Sequence, residues 1–284
     1  MALVTVSAAA QGIYQHPDEN LHPTPPQVPA YVVFAGDTVR FDTTEKYERM
    51  DRELLAFSYM HSTSTLMLKR SGRYFPFIEP ILKDNGIPED FKFLCVIESN
   101  LDPKAVSVTG ATGLWQFTGA TARDFGLEVN SEVDERYNEE KETIAACAYI
   151  KRAYAKFGNW INVAASYNCG MGGVASRIEA QKQDSFFDLL LPEETSRYIY
   201  RILAAKMFFE NPAAFGYRIA DRYKPLDIRQ TVLVSGSIPS LVDFAGEYGI
   251  SYAELKRANL WLRSDKLTNK DKRTYRIIIP RHHD

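Results

Sequence analysis

Hydrophobic residues recur at helical spacing through most of the chain, beginning near Thr44. Tyr47, Met50, Leu54 and Phe57 are three or four residues apart, the interval that places side chains on one face of an α-helix. Similar patterns predict further helices in FPFIEPILKDNG, IPEDFKFLCVIES, EEKETIAACAYIKRAYAKFG, NWINVAASYNCGMGG and LPEETSRYIYRILAAKMFF. Almost nothing before residue 216 has the alternating pattern of a strand. We therefore expect a mainly α fold.

The pattern changes after Pro225. TVLVSG and TYRIII are typical of strands, whereas PSLVDFAGEYG and SYAELKRAN between them are typical of short amphipathic helices. These segments predict a βααβ unit of about 50 residues, near the lower limit for independent folding. A chain of 284 residues has room for this unit beside one larger domain. We expect a helical domain at residues 44–224 and the small unit at residues 225–284.

Residues 1–43 are expected to form a Pro-rich N-terminal arm. Five prolines fall within residues 17–29, and proline fixes φ and removes a hydrogen-bond donor, which favours an extended segment. The opening MALVTVSAAAQ ends in small residues, as at a signal-peptidase site, but lacks the basic start of a complete export signal. It is interpreted either as the stub of a trimmed export signal or as a disordered end. No run reaches the ~18 apolar residues of a membrane span.

Composition and charge narrow the classes of function. With 45% hydrophobic and 25% charged residues, the chain is typical of globular proteins. A formal net charge of −2 gives no reason to expect nucleic acid, which requires a basic surface. Cys95, Cys147 and Cys169 lie far apart, without a CxxC motif or a nearby histidine, so buried thiols are expected. We expect no metal and no other cofactor.

One carboxylate, Glu98, stands at the end of an apolar helical run. Phe91, Leu94 and Ile97 mark the buried face of this predicted helix, and Glu98 adjoins that face near the helix C-terminus. Burial and the negative end of the helix dipole both raise the pKa of a carboxyl group. A raised pKa suits a general acid that works near neutral pH. The alternative interpretation is a surface glutamate at a frayed helix end.

A second carboxylate is hard to find beside Glu98. Glycosidic bonds are ordinarily hydrolysed by two carboxylates, one acid and one base or nucleophile. Asp102 precedes Pro103, which disfavours a helical conformation at residue 102, so a role in a turn is the better interpretation. Asp124 and Glu128 have no positional signature. A single acid favours chemistry in which the nucleophile comes from the substrate.

Four motifs resemble those of the lytic transglycosylases with a goose-lysozyme-like (SLT) catalytic domain. They cover roughly residues 44–216 in the family's order, and four motifs in order are far more specific than one. They are the lead-in RYFPFIEPILKDNGIPEDFKFLCVIES, then ESNLDPKAVSVTGATGLWQF, AASYN and ETSRYIYRI. The resemblance implies a lysozyme-like helical domain that acts on peptidoglycan.

The resemblance also implies a mechanism in which Glu98 is the sole catalytic acid and base. It would protonate the oxygen between N-acetylmuramic acid and N-acetylglucosamine, while the muramyl acetamido oxygen stabilises the developing cation. The ionised Glu98 would then take the proton of the sugar's own 6-hydroxyl. A 1,6-anhydromuramyl end would result without consumption of water. This chemistry would account for the missing second acid.

Six further residues match motif positions that contact or shape the substrate site in this family. They are Ser99, Ser107, Gln116, Tyr167, Asn168 and Tyr198. For the serines, the alternative role is to cap backbone groups. For Asn168 and Tyr198, the alternative role is turn formation or core packing. The amide of Gln116 could bind an acetamido group by donating and accepting. Trp115 stands where most members have methionine, and either side chain can pack beneath a sugar.

The C-terminal unit resembles a lysin motif, a small module that binds chains containing N-acetylglucosamine. VLVSGSIPSLVDFAGEYGISYAELKRANLW follows that motif's order of strand, helix and helix, and YRIIIP supplies the closing strand. The usual G-D-T turn is replaced by GSI, and the charged stretch RSDKLTNKDKR is an insertion. A degenerate module packed against the helical domain is therefore an alternative to a glycan-binding one.

The resemblance implies a monomer that acts on peptidoglycan glycan strands outside the cytoplasmic membrane, in a periplasm or at the cell envelope. No lipobox cysteine is visible near the N-terminus, so a lipid anchor is not supported. Two alternatives remain open at this point. One is a goose-type lysozyme-like hydrolase, which needs a suitably held water. The other is a non-catalytic peptidoglycan-binding protein.

Overall fold

The computed structural model of this protein describes residues 25–281. The interpretation of MALVTVSAAAQ and the first prolines of the predicted arm lie outside the described residues. In chain order, the helices and strands are β1 (Tyr31–Phe34), β2 (Asp37–Arg40), α1 (Thr44–Tyr59), α2 (His61–Asp84), α3 (Lys92–Ser99), α4 (Gly119–Asp124), α5 (Glu139–Phe157), α6 (Trp160–Gln181), α7 (Glu193–Glu210), β3 (Ile228–Val234), α8 (Leu241–Glu247), α9 (Tyr252–Ala258) and β4 (Tyr275–Pro280).

Helix α3 lies in the interior of the helical domain and fixes the position of Glu98. Its apolar side chains are all buried because α2 and α7 pack against it. The helix ends where Asn100 adopts a left-handed conformation, with φ of 53°, which asparagine tolerates better than most residues. The prediction of a mainly α fold, with Glu98 at a helix C-terminus beside the core, is confirmed.

Helix α2 is longer than its pattern predicted. The sequence indicated a helix from about Phe75, but the helix begins at His61 and contains Pro76 and Pro80 in its second half. A proline inside a helix removes a hydrogen bond and is destabilising. The buried face of α2 continues without interruption from Ser64 to Leu82. Burial of this face offsets the unfavourable effect of the prolines.

A β-hairpin precedes the helices and was not predicted. Strands β1 and β2 pair in antiparallel fashion. Val32, Phe34 and Val39 point into the core of the helical domain. Ala35 and Gly36 form the turn, both with positive φ. The hairpin therefore packs with the helical domain, although its residues fall within the stretch assigned to the N-terminal arm.

Helix α6 contains the predicted glycine-rich turn as an internal break. The sequence indicated a short helix that ends near Gly170, whereas helical structure continues to Gln181 with one non-helical residue, Gly170, at φ 78° and ψ 150°. The break at Gly170 redirects the chain two residues after Asn168. It thereby places Tyr167 and Asn168 in the last turn of the first helical segment.

The C-terminal unit has the predicted βααβ order. Strands β3 and β4 pair in antiparallel fashion, and α8 and α9 lie between them in sequence. A second hydrophobic core fills this unit and includes Leu241, Leu255 and Ile277. Val133 and Tyr137 of the helical domain belong to the same core. The small unit is therefore packed against the helical domain.

Candidate active site

Glu98 and Tyr198 form the centre of the candidate site. Glu98 lies at the end of α3 and Tyr198 on α7, which packs along α3. The Tyr198 hydroxyl donates a hydrogen bond to Glu98 Oε1 at 2.5 Å. Tyr198 is almost completely buried, whereas Glu98 retains partial exposure. The carboxyl group is thus held from the protein side and remains accessible to a substrate.

The surroundings of Glu98 suit a group that both gives and takes a proton. Burial raises its pKa from 4.5 to about 7, the direction expected from the sequence. The hydrogen bond from Tyr198 and the charge of Arg201 act in the opposite direction, because both favour the ionised carboxylate. A pKa near neutrality allows both protonation states to be populated at physiological pH.

The other carboxylates near Glu98 have partners of their own. Asp102 accepts hydrogen bonds from Arg70 Nη2 at 2.8 Å and from the Lys104 amide at 3.0 Å, the turn role that the sequence favoured. Glu194 is exposed, and its negative charge contributes to the raised pKa of Glu98. No direct hydrogen bond joins a second carboxylate to Glu98 among the contacts of residues 25–281.

Asn168 connects α6 to the beginning of α7. Its Oδ1 accepts a hydrogen bond from Thr195 Oγ1 at 2.9 Å, and its Nδ2 donates to Glu194 Oε1 at 3.3 Å. These contacts orient the exposed Glu194 carboxylate. Asn168 therefore positions a neighbouring acid and does not contact Glu98 itself.

The two predicted serines bond to backbone and hydroxyl groups in their own vicinity. Ser99 is 4% exposed, and its hydroxyl donates to the Cys95 carbonyl one helical turn earlier at 2.9 Å. Ser107 accepts from the Ala111 amide at 3.0 Å and lies 3.0 Å from the Thr109 hydroxyl. The capping interpretation thus describes Ser99, and Ser107 shapes a turn.

Residues 105–117, which we call the glycine loop, determine the conformation of Gln116. Gln116 has a φ of 53°, and its amide nitrogen donates to the Ala105 carbonyl at 3.1 Å and the Gly113 carbonyl at 2.8 Å. Both hydrogens of the amide nitrogen are therefore used within the loop. The amide oxygen is therefore the atom through which Gln116 can bind a substrate. Gln116 would accept a hydrogen bond but not donate one, whereas the sequence indicated that it could do both.

Trp115 belongs to the core and not to a sugar-binding surface. The expectation that it packs beneath a sugar is wrong, because Trp115 is 0% exposed. Its indole nitrogen donates to Thr143 Oγ1 on α5 at 2.9 Å. The Tyr167 hydroxyl donates to the Trp115 carbonyl at 2.8 Å. Trp115 therefore anchors the glycine loop to α5 and α6.

Tyr167 lies close enough to Glu98 to be affected by its charge. Burial and the negative charge of Glu98 both raise the pKa of Tyr167. Its hydroxyl is neutral at physiological pH and donates its hydrogen to Trp115. Tyr167 thus links the glycine loop to the surroundings of Glu98.

Glu142, on α5, fixes the backbone of the glycine loop, a role that the sequence did not indicate. It is completely buried, and its two oxygens each accept a hydrogen bond at 3.1 Å, from the backbone amides of Leu114 and Trp115. Burial raises its pKa well above the ordinary value. Glu142 lies in an acidic first helical turn, where glutamate is common for dipole reasons. Its position in the sequence therefore gave no signal of a buried role.

The described part of the chain contains no cluster of side chains suited to bind a metal ion. Within residues 25–281, no three or more His, Cys, Asp or Glu side chains are grouped so as to hold a metal ion. Cys95 and Cys147 are buried free thiols, and Cys169 is a partly exposed free thiol. None of the helices in the same range has the length and apolar character needed to cross a membrane.

Comparison with protein families confirms the resemblance drawn from the motifs. Residues 75–189 match the transglycosylase SLT domain. Residues 230–283 match the soluble lytic transglycosylase C-terminal LysM-like domain. The chain therefore contains an SLT domain followed by a LysM-like domain, in agreement with the helical domain and the βααβ unit.

Curated relatives include known transglycosylases. The chain is 27% identical over 259 residues to membrane-bound lytic murein transglycosylase D of Escherichia coli K12, which covers 88% of this chain and 55% of that protein. It is 33% identical over 123 residues to peptidoglycan transglycosylase gp16 of Escherichia phage T7, which covers 42% of this chain and 9% of that protein. The chain thus spans about half the length of the Escherichia coli relative.

Solved structures of two lytic transglycosylases are also similar. The 70 kDa soluble lytic transglycosylase Slt70 of Escherichia coli matches with a TM-score of 0.43 and 22% identity, over 53% of this chain and 27% of that chain. The lytic transglycosylase Slt of Pseudomonas aeruginosa matches with a TM-score of 0.37 and 21% identity, over 52% of this chain and 26% of that chain.

Proposed function

We propose that this chain, which contains an SLT domain and a LysM-like domain, is a peptidoglycan lytic transglycosylase with Glu98 as its acid and base. The observation that supports this most strongly is the environment of Glu98. Burial raises its pKa to about 7 while Tyr198 donates a hydrogen bond to the same group. The carboxyl group can therefore donate a proton at neutral pH and then exist as a stabilised anion.

In the first step, protonated Glu98 transfers its proton to the oxygen that joins C1 of N-acetylmuramic acid to N-acetylglucosamine. The bond between C1 and that oxygen breaks, and the N-acetylglucosamine hydroxyl leaves. The muramyl acetamido oxygen stabilises the positive charge at C1. Tyr198 donates to the carboxylate that forms on Glu98, which favours the ionised product of this step.

In the second step, ionised Glu98 accepts the proton of the muramyl 6-hydroxyl. The 6-oxygen forms a bond to the positively charged C1, so the product is a 1,6-anhydromuramyl end. Glu98 is again protonated and no water is consumed. One carboxylate is sufficient for this cycle.

The remaining predicted residues divide into a substrate contact and positioning residues. The Gln116 amide oxygen accepts a hydrogen bond from an acetamido N–H of the glycan, since both amide hydrogens are used within the loop. Tyr167 holds the backbone next to Gln116. Ser99 stabilises the last turn of α3, and Ser107 stabilises the turn of the glycine loop. Asn168 orients Glu194.

A goose-type lysozyme-like hydrolase is the second candidate function. Glu194 is the observation that favours it, because this exposed carboxylate acts electrostatically on Glu98. If Glu194 activated a water molecule, cleavage would yield reducing muramyl ends. Substitution of Glu194 would then abolish cleavage as completely as substitution of Glu98.

We further propose that the substrate is the glycan strand of peptidoglycan. The enzyme is a monomer and cleaves this substrate in a periplasm or at the cell envelope. The name of the Escherichia coli relative, a membrane-bound murein transglycosylase, supports a location at the cell wall. The formal charge of −2 supports a neutral or mixed-charge substrate and not a nucleic acid.

The products of peptidoglycan digestion test this function. Purified protein is incubated with peptidoglycan, and the new glycan ends are identified by mass spectrometry for the wild type, Glu98→Gln and Glu194→Gln. We expect wild-type products that are one water lighter than hydrolytic muropeptides, none from Glu98→Gln, and the same anhydro ends from Glu194→Gln. Reducing ends would instead support the hydrolase, and binding to peptidoglycan without products would support a non-catalytic protein.

A further inference from the structure

The LysM-like domain contacts a segment of the SLT-containing domain that also contacts the active-site loop. This segment, residues 128–137, lies between α4 and α5, and we call it the bridging segment. On one side it packs against the C-terminal core through Val133 and Tyr137. On the other side it contacts the glycine loop, which carries Gln116.

The contacts to the LysM-like domain are specific hydrogen bonds. Glu132 accepts two of them from Thr268, one from the backbone amide and one from the hydroxyl, both at 2.6 Å. The Asp134 amide donates to the Trp261 carbonyl at 2.9 Å. Glu128 accepts from the Tyr275 hydroxyl at 2.9 Å. The bridging segment is therefore fixed along its length by the C-terminal domain.

Arg136 transmits this fixed position to the glycine loop. Its Nε and Nη2 donate to the two carboxylate oxygens of Asp134 at 2.9 and 2.7 Å, a bidentate pair in which Asp134 is 7% exposed. Its Nη1 donates to the Gly110 carbonyl at 2.9 Å and to the Phe117 carbonyl at 3.3 Å. One guanidinium group thus joins the bridging segment to both ends of the stretch 110–117, which contains Gln116.

The backbone of Arg136 packs equally closely on the loop. A Cβ atom at Gly113 would lie 1.9 Å from the Arg136 carbonyl oxygen, so no side chain fits between the two segments. Gly113 is one of the two residues whose carbonyl oxygen accepts from the Gln116 amide. A shift of the bridging segment would therefore displace the group that orients Gln116.

We propose that the LysM-like domain braces the substrate site through Asp134 and Arg136, which act as positioning residues for the glycine loop and Gln116. The predicted effect of this role on kinetics rests on the proposed function. Its predicted effect on the position of the glycine loop rests on the contacts alone. The C-terminal domain then contributes to glycan binding by holding the catalytic domain's own loop. Residues 261–268 of the C-terminal domain serve this contact.

Two variants test the two halves of the connection. Arg136→Ala removes the bonds to the loop, and Glu132→Ala removes the bonds from Thr268. We expect KM for a soluble peptidoglycan tetrasaccharide to rise about tenfold in Arg136→Ala and about threefold in Glu132→Ala, with kcat within about twofold and an unchanged pH profile. Arg136→Lys, which keeps the charge but not the forked geometry, should fall between wild type and Arg136→Ala.

Arg276→Ala is the matched control for the interface. Arg276 pairs with Glu140 across the same two domains, but the pair is exposed and does not contact the bridging segment. We expect wild-type KM for this variant. An unchanged KM in Arg136→Ala, or a changed KM in Arg136→Ala with none in Glu132→Ala, would overturn the proposal, because the loop would then not depend on the LysM-like domain.

Hydrogen exchange separates this proposal from the proposed function. Amides of residues 107–117 should exchange faster in both Arg136→Ala and Glu132→Ala, and by a larger factor than the amides of α3 and α7, whose exchange reports the change in global stability. This readout needs no turnover and is measured even if the wild type yields no glycan products. Unchanged exchange in the glycine loop of either variant would contradict the brace whatever the activity.

Discussion

At the scale of single residues, opposing contacts set the ionisation of Glu98. Removal from water raises its pKa, whereas the hydroxyl of Tyr198 and the charge of Arg201 lower it. Without Tyr198, desolvation would be less opposed and the carboxyl group would remain protonated to a higher pH. Tyr198 therefore favours the base form of Glu98, while burial favours the acid form.

The substitution Tyr198→Phe tests this balance. Because the lost hydrogen bond favoured the carboxylate, the pKa of Glu98 should rise further above its value of about 7. The fall of kcat/KM on the alkaline side should move to higher pH by up to about one unit, and the maximal rate should drop roughly tenfold, since a hydrogen bond to a charged group contributes about 1.5–3 kcal/mol. The measurement is the pH profile of kcat/KM.

Tyr200→Phe provides the comparison. Tyr200 is also buried on α7, but it packs against Phe41 and Phe187 and not against Glu98. Its variant should retain the wild-type profile. An alkaline limb that stays in place in Tyr198→Phe, or that moves equally in Tyr200→Phe, would show that Tyr198 does not control the ionisation of Glu98.

The sequence predicted the position of Glu98 because local periodicity determines it. The apolar run before Glu98 defines one buried helix, so an acid at the end of that run must lie beside a core. The roles of Trp115 and Glu142 depend on how α5 packs against the glycine loop, a contact between residues 27 apart in sequence. No local pattern encodes that contact, and both roles were missed or misassigned.

At the scale of elements, the glycine loop is held against α5 and the bridging segment by backbone contacts that leave no space for a side chain. Gly113 has a φ of 88°, and an added Cβ would lie 1.9 Å from the Arg136 carbonyl oxygen and 2.4 Å from Glu142 Oε2. Gly110 has a similar φ of 79°, but an added Cβ there would have no neighbour within 4 Å. Substitution of Gly110 would therefore introduce backbone strain alone, whereas substitution of Gly113 would introduce both backbone strain and a steric clash.

The variants Gly113→Ala and Gly110→Ala should therefore differ. Both introduce alanine in a left-handed conformation, which costs about 1–2 kcal/mol. Only Gly113→Ala also forces the loop away from Glu142 and Arg136, so its total loss in the free energy of unfolding should exceed about 3 kcal/mol, with anhydro products reduced at least tenfold. Urea denaturation and product assays provide the measurements. Equal losses in the two variants would contradict the close packing at Gly113.

The elements that the sequence did not predict share a physical reason. Strands β1 and β2 have four residues each, and their turn uses Ala35, a residue that rarely adopts positive φ, beside Gly36. A pattern this short, with an atypical turn residue, resembles a loop. The stability of the hairpin comes from Val32, Phe34 and Val39 in a core made by distant helices. In contrast, α5 and α7 have regular buried faces and were predicted.

At the scale of the whole molecule, the interface between the two domains contains buried hydrophobic residues. Val133 is 1% exposed and Tyr137 is 8% exposed, and both belong to the core of the LysM-like domain although they precede α5 in the chain. A βααβ unit of this size has a small core of its own. Val133 and Tyr137 of the helical domain enlarge that core, so the stability of each domain depends on the other.

This dependence predicts a single cooperative unfolding transition for the whole molecule. Leu255 is completely buried in the C-terminal core, and Leu255→Ala should lower the free energy of unfolding by about 2–5 kcal/mol. In one cooperative unit, that loss accelerates the globally limited hydrogen exchange of α3 as much as that of β4. Leu54→Ala in α1 is the reciprocal variant, since Leu54 is equally buried in the other core, and it should accelerate exchange in β4. If Leu255→Ala accelerated exchange only within residues 228–280, the C-terminal domain would open independently, and the glycine loop would lose its brace in a fraction of otherwise folded molecules. The two variants therefore determine whether the two domains unfold as one unit or separately.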